Sequence, residues 1–212
     1  MENKLELRMY GFVPYNISEI QKGIQFGHAV VEYAQMAKKG DPTIEWEESS
    51  DGTRYKKVRF ESLDLEDTYN DWADNWKTFI ILNGGTTNHK TSLEDGLPFG
   101  TLNQHVLTLQ QNGIDFATFN EPDLGDQLTA VVFIVDERVF NRKKYPDFED
   151  WVIENYGDLI TGGGSAYQIA KRIKESNSKE DQKVYQTWVK FVGGEKNVFL
   201  KEFLHPKNFK LA

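Results

Sequence analysis

A chain of 212 residues that is 39% apolar, 13% aromatic and 27% charged can bury a sizeable core, and its composition excludes a disordered or collagen-like polymer. Its 33 acidic residues against 25 Lys and Arg leave a net charge of −8, which argues against a surface that coats nucleic acid, because phosphate contact is dominated by Lys and Arg. Cysteine is absent, which removes disulfides, thiolate nucleophiles and zinc-thiolate sites.

In chain order, Leu5 to Val13 alternates as a first strand, with Leu5, Leu7, Met9 and Gly11 on one face and Glu6, Arg8 and Tyr10 on the other. Asn16 or Ser18 then caps a helix running to about Lys39, where Gly40-Asp41-Pro42 stops it. Two apolar stripes, Ile20, Ile24, Gly27 and Val31 on one side and Phe26, Val30, Tyr33 and Ala37 on another, predict burial against a sheet and against a neighbour. Between them Gln21, Gln25, His28 and Glu32 share one face. Burying an amide or an imidazole there costs free energy unless each finds a hydrogen-bond partner, so Gln25 and His28 are either core-edge hydrogen-bonders or functional groups.

Thr43 to Phe60 reads as a charged insertion, a hairpin turning at Ser49-Ser-Asp-Gly52, and Leu63 to Asn75 as a short acidic helix. A strand follows over Lys77 to Leu82, then a turn at Asn83-Gly-Gly-Thr-Thr-Asn88 and a polar loop to Pro98. Thr101 starts a helix carrying Leu102, Val106 and Leu109, closed by Gly113, after which Ile114 to Phe119 is strand-like. The polar stretch Asn120 to Thr129 then feeds Ala130-Val-Val-Phe-Ile-Val135, the apolar, β-branched pattern of a strand covered on both faces. This order predicts an α/β fold: a compact mixed sheet of about four strands flanked by helices, its last two strands paired as a hairpin or edge.

Beyond the break at Tyr145-Pro-Asp147, helices are expected over Phe148 to Tyr156, Ala166 to Glu175 and Lys179 to Val192, with Trp151, Tyr167, Tyr185 and Trp188 as buried anchors. We therefore divide the chain into an α/β domain over residues 1–145, with an insertion at 40–75, and a helical extension over 146–212 packed on it. No apolar run approaches the roughly 20 residues of a membrane span, and no basic segment precedes an apolar one at the N-terminus. A cytoplasmic location with no membrane partner is the expectation.

Other chemistries are weakly signalled. His28, His89, His105 and His205 are scattered, with no HxxxH or HExxH pair, so no metal and no cofactor is expected. Thr161-Gly-Gly-Gly-Ser165 lacks the spacing of a phosphate-cradling loop, and no serine sits in a G-x-S-x-G turn. Arg54-Tyr-Lys-Lys-Val-Arg59 is the densest basic run, with Arg142-Lys-Lys144 and Lys171-Arg-Ile-Lys174 weaker; each reads first as a solvated face.

Two separated motifs carry a family resemblance. Ile17-Ser-Glu-Ile-Gln-Lys-Gly-Ile-Gln-Phe-Gly-His-Ala29 resembles the helix motif of the type 2 peptidyl-tRNA hydrolases, in which a Gln stands three positions before a His-Ala pair. Asn112-Gly-Ile114, Glu121-Pro-Asp-Leu-Gly125 and Leu128-Thr-Ala-Val131 resemble that family's later strand, Asp-x-Gly loop and Thr-bearing last strand, most closely in its divergent bacterial and phage branch. The likeness spans roughly residues 5–136, interrupted by the insertion.

It implies hydrolysis of the ester joining a peptide or amino acid to the terminal ribose of tRNA, or of a related nucleotide-linked bond. Asp123 would orient water, with Thr129, Gln25 and His28 as its catalytic company. The position of the family's helix lysine falls on Gln21, with Lys22 beside it, and Gln127 lies nearest to the family's second threonine; these three are the implied substrate-binding positions. The alternative is a catalytically inactive interaction module on the same scaffold, binding a protein partner or a second copy through residues 43–75.

Overall fold

The computed structural model describes residues 4–39, 41–48, 54–61, 63–87, 100–157 and 165–212. The helix stop at Gly40, the hairpin turn at Ser49-Ser-Asp-Gly52, the polar loop from Asn88 to Pro98 with His89, and the glycine run Thr161–Gly164 lie outside the described residues. The chain divides into two compact units, one of Glu6–Ile134 with Phe209–Ala212 and one built on Val135–Asn208. The division falls within the last strand, earlier than the break at Tyr145-Pro146.

The first unit is mixed α/β, an open four-stranded mixed sheet with flanking helices. Strands β1 (Leu7–Val13), β4 (Thr78–Asn83), β5 (Ala117–Glu121) and β6 (Gln127–Asp136) lie in the order β4-β1-β6-β5. β1 and β4 run parallel, and β5 and β6 antiparallel. The uninterrupted apolar run of β6 follows from its inside place in the sheet, where Ala130, Val131, Val132 and Phe133 are all fully buried.

The alternation of β1 divides the core between the faces. Met9 and Val13 join Ala130 and Val132 beneath Phe26, Ala29 and Tyr33 of helix α1 (Glu19–Lys39), with Leu65 of α2 (Leu63–Asp71) in the same cluster. On the opposite face the Phe12 ring meets Phe133 at 5.9 Å, His105 of helix α3 (Thr101–Gln111) at 5.1 Å and Phe209 at 4.7 Å. Gly11 permits the close approach of α1, since a Cβ there would come within 2.6 Å of both the Phe26 ring and the Val131 carbonyl oxygen. β4 would be an open edge, but Phe209–Ala212 covers it: Asn83 N donates to Lys210 O at 2.9 Å and Ala212 N to Ile81 O at 3.0 Å.

Several expectations change. Only one stripe of α1 is buried: Ile20, Ile24 and Val31 are 78%, 48% and 55% exposed, and a Cβ built on Gly23 or Gly27 meets nothing within 4 Å. No neighbouring element covers that crest among the described residues. The acidic helix is α-helical only to Asp71 and continues as a wider π-turn over Trp72–Trp76, closed by Lys77 with a positive φ of 52°. The insertion forms a separate two-stranded antiparallel sheet, β2 (Asp41–Glu48) with β3 (Arg54–Glu61). Its register sets Glu45 opposite Lys57 and Glu48 opposite Arg54, with Lys56 opposite Trp46 and Arg59 opposite Thr43.

The second unit contains α4 (Glu137–Phe140), α5 (Phe148–Tyr156), α6 (Ala166–Glu175), α7 (Lys179–Phe191) and α8 (Glu195–Phe203); α8 lies beyond the helices expected from the sequence. Its core gathers Phe148, Trp151, Val152, Ile169, Ala170, Trp188 and Val189. Ser165 and Gln168 close a reciprocal capping box at the start of α6. Tyr185 packs edge-on to Phe148 at 5.2 Å, but Tyr167, expected as a buried anchor, is 63% exposed. No helix among the described residues is long and apolar enough to cross a membrane.

Candidate functional site

The site grows from an irregularity in the sheet. β5 and β6 pair Phe119 with Ala130 but Asn120 with Leu128, so Thr129 is an extra, unpaired residue on β6. A bulge of this kind re-aims a side chain. The Thr129 hydroxyl, 1% exposed, donates to Gln25 Oε1 at 2.7 Å and lies 3.3 Å from Phe119 O, a carbonyl beside the interrupted ladder.

Gln25 is the second link. The remainder of its helix face puts it at the sheet end, 7% exposed, with its Nε2 donating to Glu121 Oε2 at 2.6 Å. One orientation of the amide satisfies both neighbours, since the carboxylate only accepts while the carbonyl oxygen accepts from the hydroxyl. The result is a directed chain from hydroxyl through amide to carboxylate, spanning β6, α1 and β5. A donor on a carboxylate at this distance is a charge-assisted hydrogen bond, stronger than its neutral counterparts.

Glu121 ends β5 and serves as N-cap of the 3-10 turn Pro122–Leu124, its other carboxylate oxygen standing 3.5 Å from Asp123 N. The turn closes through Gly125 and Asp126, both with positive φ (66° and 61°), and Asp126 N donates to Glu121 O at 3.0 Å. Asn120 Nδ2 donates to Asp126 O at 2.8 Å and ties the loop across its neck. The polar stretch from Asn120 is therefore shorter as a loop than expected, because β6 already begins at Gln127, opposite Glu121. Asp123 is exposed at the top of this turn.

His28, one helical turn beyond Gln25 and solvent-exposed, lays its imidazole against the Phe119 ring at 4.4 Å. Gln25, Thr129, His28 and Gln127 thus gather around β5, with Asp123 two residues past its end. Gln21 and Lys22 stand apart from this group. Gln21 Oε1 accepts from Ser18 N and Ser18 Oγ, both at 3.1 Å, which makes it the capping partner at the start of α1, and Lys22 Nζ pairs with Glu19 at 2.8 Å. The sequence reading missed Glu121 as a site residue. Its signal was its place, an acid at the last strand position before a proline.

Among the described residues no ion pair engages Glu121 or Asp123, and no group of three or more His, Cys, Asp or Glu could hold a metal ion. What the arrangement offers chemically is two acids on one short turn, one of them oriented from beneath by an amide. Comparison with protein-family models, with curated proteins and with solved structures gives no match to this chain.

Proposed function

We propose that this chain is a hydrolase-like protein that cleaves the ester of an aminoacyl or peptidyl group on the terminal ribose of tRNA, or a related nucleotide-linked ester. The chain of hydrogen bonds from Thr129 through Gln25 to Glu121, directly beneath the turn that carries Asp123, supports this reading. Asp123 orients the attacking water from the exposed turn, while Glu121, itself held by the Gln25 amide, caps the turn's backbone; the His28 ring borders the same strand. The resemblance in the α1 and Glu-Pro-Asp-Leu-Gly motifs supplies the substrate class.

The test is release of the blocked amino acid from an N-acylated aminoacyl-tRNA by the purified protein. Turnover is expected, with Asp123→Asn slowing it at least about tenfold while leaving the melting temperature unchanged. No release by the unaltered protein, or equal rates for the two proteins, would overturn the assignment.

The bare crest of α1 favours a second reading, a non-catalytic interaction module. On that reading the unaltered protein shows no turnover, and a protein partner captured from its own cells is lost when Ile20, Ile24 and Val31 are replaced by lysine. Retention of that partner by the triple variant would dismiss the crest as the docking face.

A further inference from the structure

The helical unit holds a cleft of about 360 Å³, within the size range of small-molecule sites, that plays no part in the site described above. Its floor is aromatic, with Phe148 and Trp188 buried beneath it. Lys174, at the end of α6, stretches over that floor, its ammonium 5.8 Å from the Phe148 ring centre and 5.9 Å from those of Tyr185 and Trp188. The same ammonium meets Glu202 Oε1 at 3.0 Å.

Glu202 is a surface side chain, 65% exposed, so this ion pair contributes little to stability and is readily exchanged. Its carboxylate marks where an anionic group sits when it binds the caged lysine. Burial alone would depress the Lys174 ammonium, but the bond to Glu202 and the charges of Glu202 and Glu149 together raise it above the ordinary lysine value.

Further donors line the same cleft. His205 Nδ1 accepts from Lys207 N at 3.2 Å, so in the neutral ring the proton lies on Nε2, leaving a donor on the cleft side chain. The turn bearing His205 and Lys207 is held by Asn208, whose Nδ2 donates to Glu202 O at 3.0 Å and Phe203 O at 3.1 Å, satisfying carbonyls at the end of α8 that would otherwise repel an anion. Lys207 is exposed at the rim, and the nine-residue helix α5 presents its N-terminal residues Phe148 and Glu149 to the cleft.

Deeper in, Asp147 is already committed, pairing with Arg142 and standing 3.4 Å from Lys201 Nζ. Lys201 in turn donates to Tyr145 O at 2.8 Å, so this inner group supports the wall and leaves the rim cations to a ligand. On the rim, Tyr167 of α6 offers a bare aromatic face, exposed by 63%.

We propose that this cleft binds a small phosphate monoester carrying a flat ring, of the nucleoside monophosphate class: the phosphate displaces Glu202 from Lys174 and is completed by Lys207 and His205, and the ring stacks on Tyr167. Two or three donors from separate segments suit a dianionic monoester better than a monoanion, and an aromatic face accepts any base. The assignment is independent of the hydrolase reading.

Titration of the full chain with adenosine 5′-monophosphate, followed by calorimetry or by amide shifts, is the test, with adenosine and inorganic phosphate as separate arms. The monophosphate is expected to bind more tightly than either part. Lys207→Gln, on an exposed side chain that leaves the fold undisturbed, and Lys174→Met should each weaken it about tenfold, and Tyr167→Ala should weaken the monophosphate but not phosphate.

Glu202→Gln should tighten binding, because it removes the internal competitor for Lys174. Tightening distinguishes this site from a generic basic surface, on which losing one acid has little effect. No binding of the monophosphate, binding that Lys207→Gln and Glu202→Gln leave unchanged, or phosphate alone binding as tightly as the monophosphate would each overturn the proposal.

Discussion

Thr129 shows how much one residue can hold in place. Its hydroxyl is buried, it has no partner across the strand, and the amide it bonds is itself held by Glu121. Thr129→Val keeps the shape but leaves Gln25 Oε1 and the bulge unsatisfied, so unfolding in urea should show a loss of about 1–3 kcal/mol, with Thr129→Ser recovering most of it. A loss for serine with none for valine would mean that packing of the methyl, and not the hydroxyl, holds the site.

His105 carries a second residue-scale prediction. Burial against the rings of Phe12 and Phe209 lowers its folded pKa below the ordinary value of 6.5. The unfolded chain then takes up the proton at higher pH than the folded one, so this contribution is complete above about pH 6.5 and is lost as the pH falls through the window beneath it, by at most about 1.4 kcal/mol per pH unit. His105→Phe should flatten that part of the melting-temperature profile. An unchanged profile would show that other groups govern stability there.

At the scale of elements, helix α1 separates what periodicity can and cannot tell. Phe26, Tyr33 and Ala37 are buried in the core with Val30 packed against it, and this stripe was readable because apolar residues recur at helical spacing. The second apolar stripe obeys the same spacing and is bare, because periodicity reports which residues share a face and not whether anything covers it. Replacing Ile20, Ile24 and Val31 together by lysine is therefore expected to change stability by no more than about 0.5 kcal/mol per position in denaturant unfolding. A loss of several kcal/mol would show the crest to be covered in solution.

The strand pair β5–β6 gives the complementary case. Its antiparallel pairing was foreseeable from the short connection, and the apolar run of β6 announced an inside strand. The bulge was not, because nothing in Leu128-Thr-Ala130 departs from an ordinary strand pattern. At the bulge the Thr129 hydroxyl meets Gln25, a residue of another element, and local sequence does not report such a meeting. Gln21 is likewise placed by a contact, since a serine three residues earlier recruits it as a cap.

At the scale of the whole molecule, the hydrophobic cluster built between Leu7 and Val132 and the one built between Phe148 and Val198 share no residue. A unit whose buried aromatics all come from within it is expected to hold its own structure. Residues 135–208 expressed alone should give a helical far-ultraviolet spectrum and a cooperative melt, whereas a flat melt would show that this core draws on the rest of the chain. The same self-sufficiency gives the cleft over Phe148 and Trp188 a frame of its own, with Lys174 and Glu202 brought together from helices far apart in sequence.

The sequence by itself determined the α/β class, the two-faced burial of β6, most helix spans and the exclusion of thiolate chemistry, because these depend on local periodicity, capping and composition. Only the tertiary structure decided that Glu121 joins Gln25 and Thr129, that the crest of α1 stays bare, that Tyr167 faces solvent and that a lysine lies over three rings. Each of these turns on residues separated by many positions meeting, or failing to meet, in space. Such meetings are set by the packing of whole elements, which no local pattern encodes.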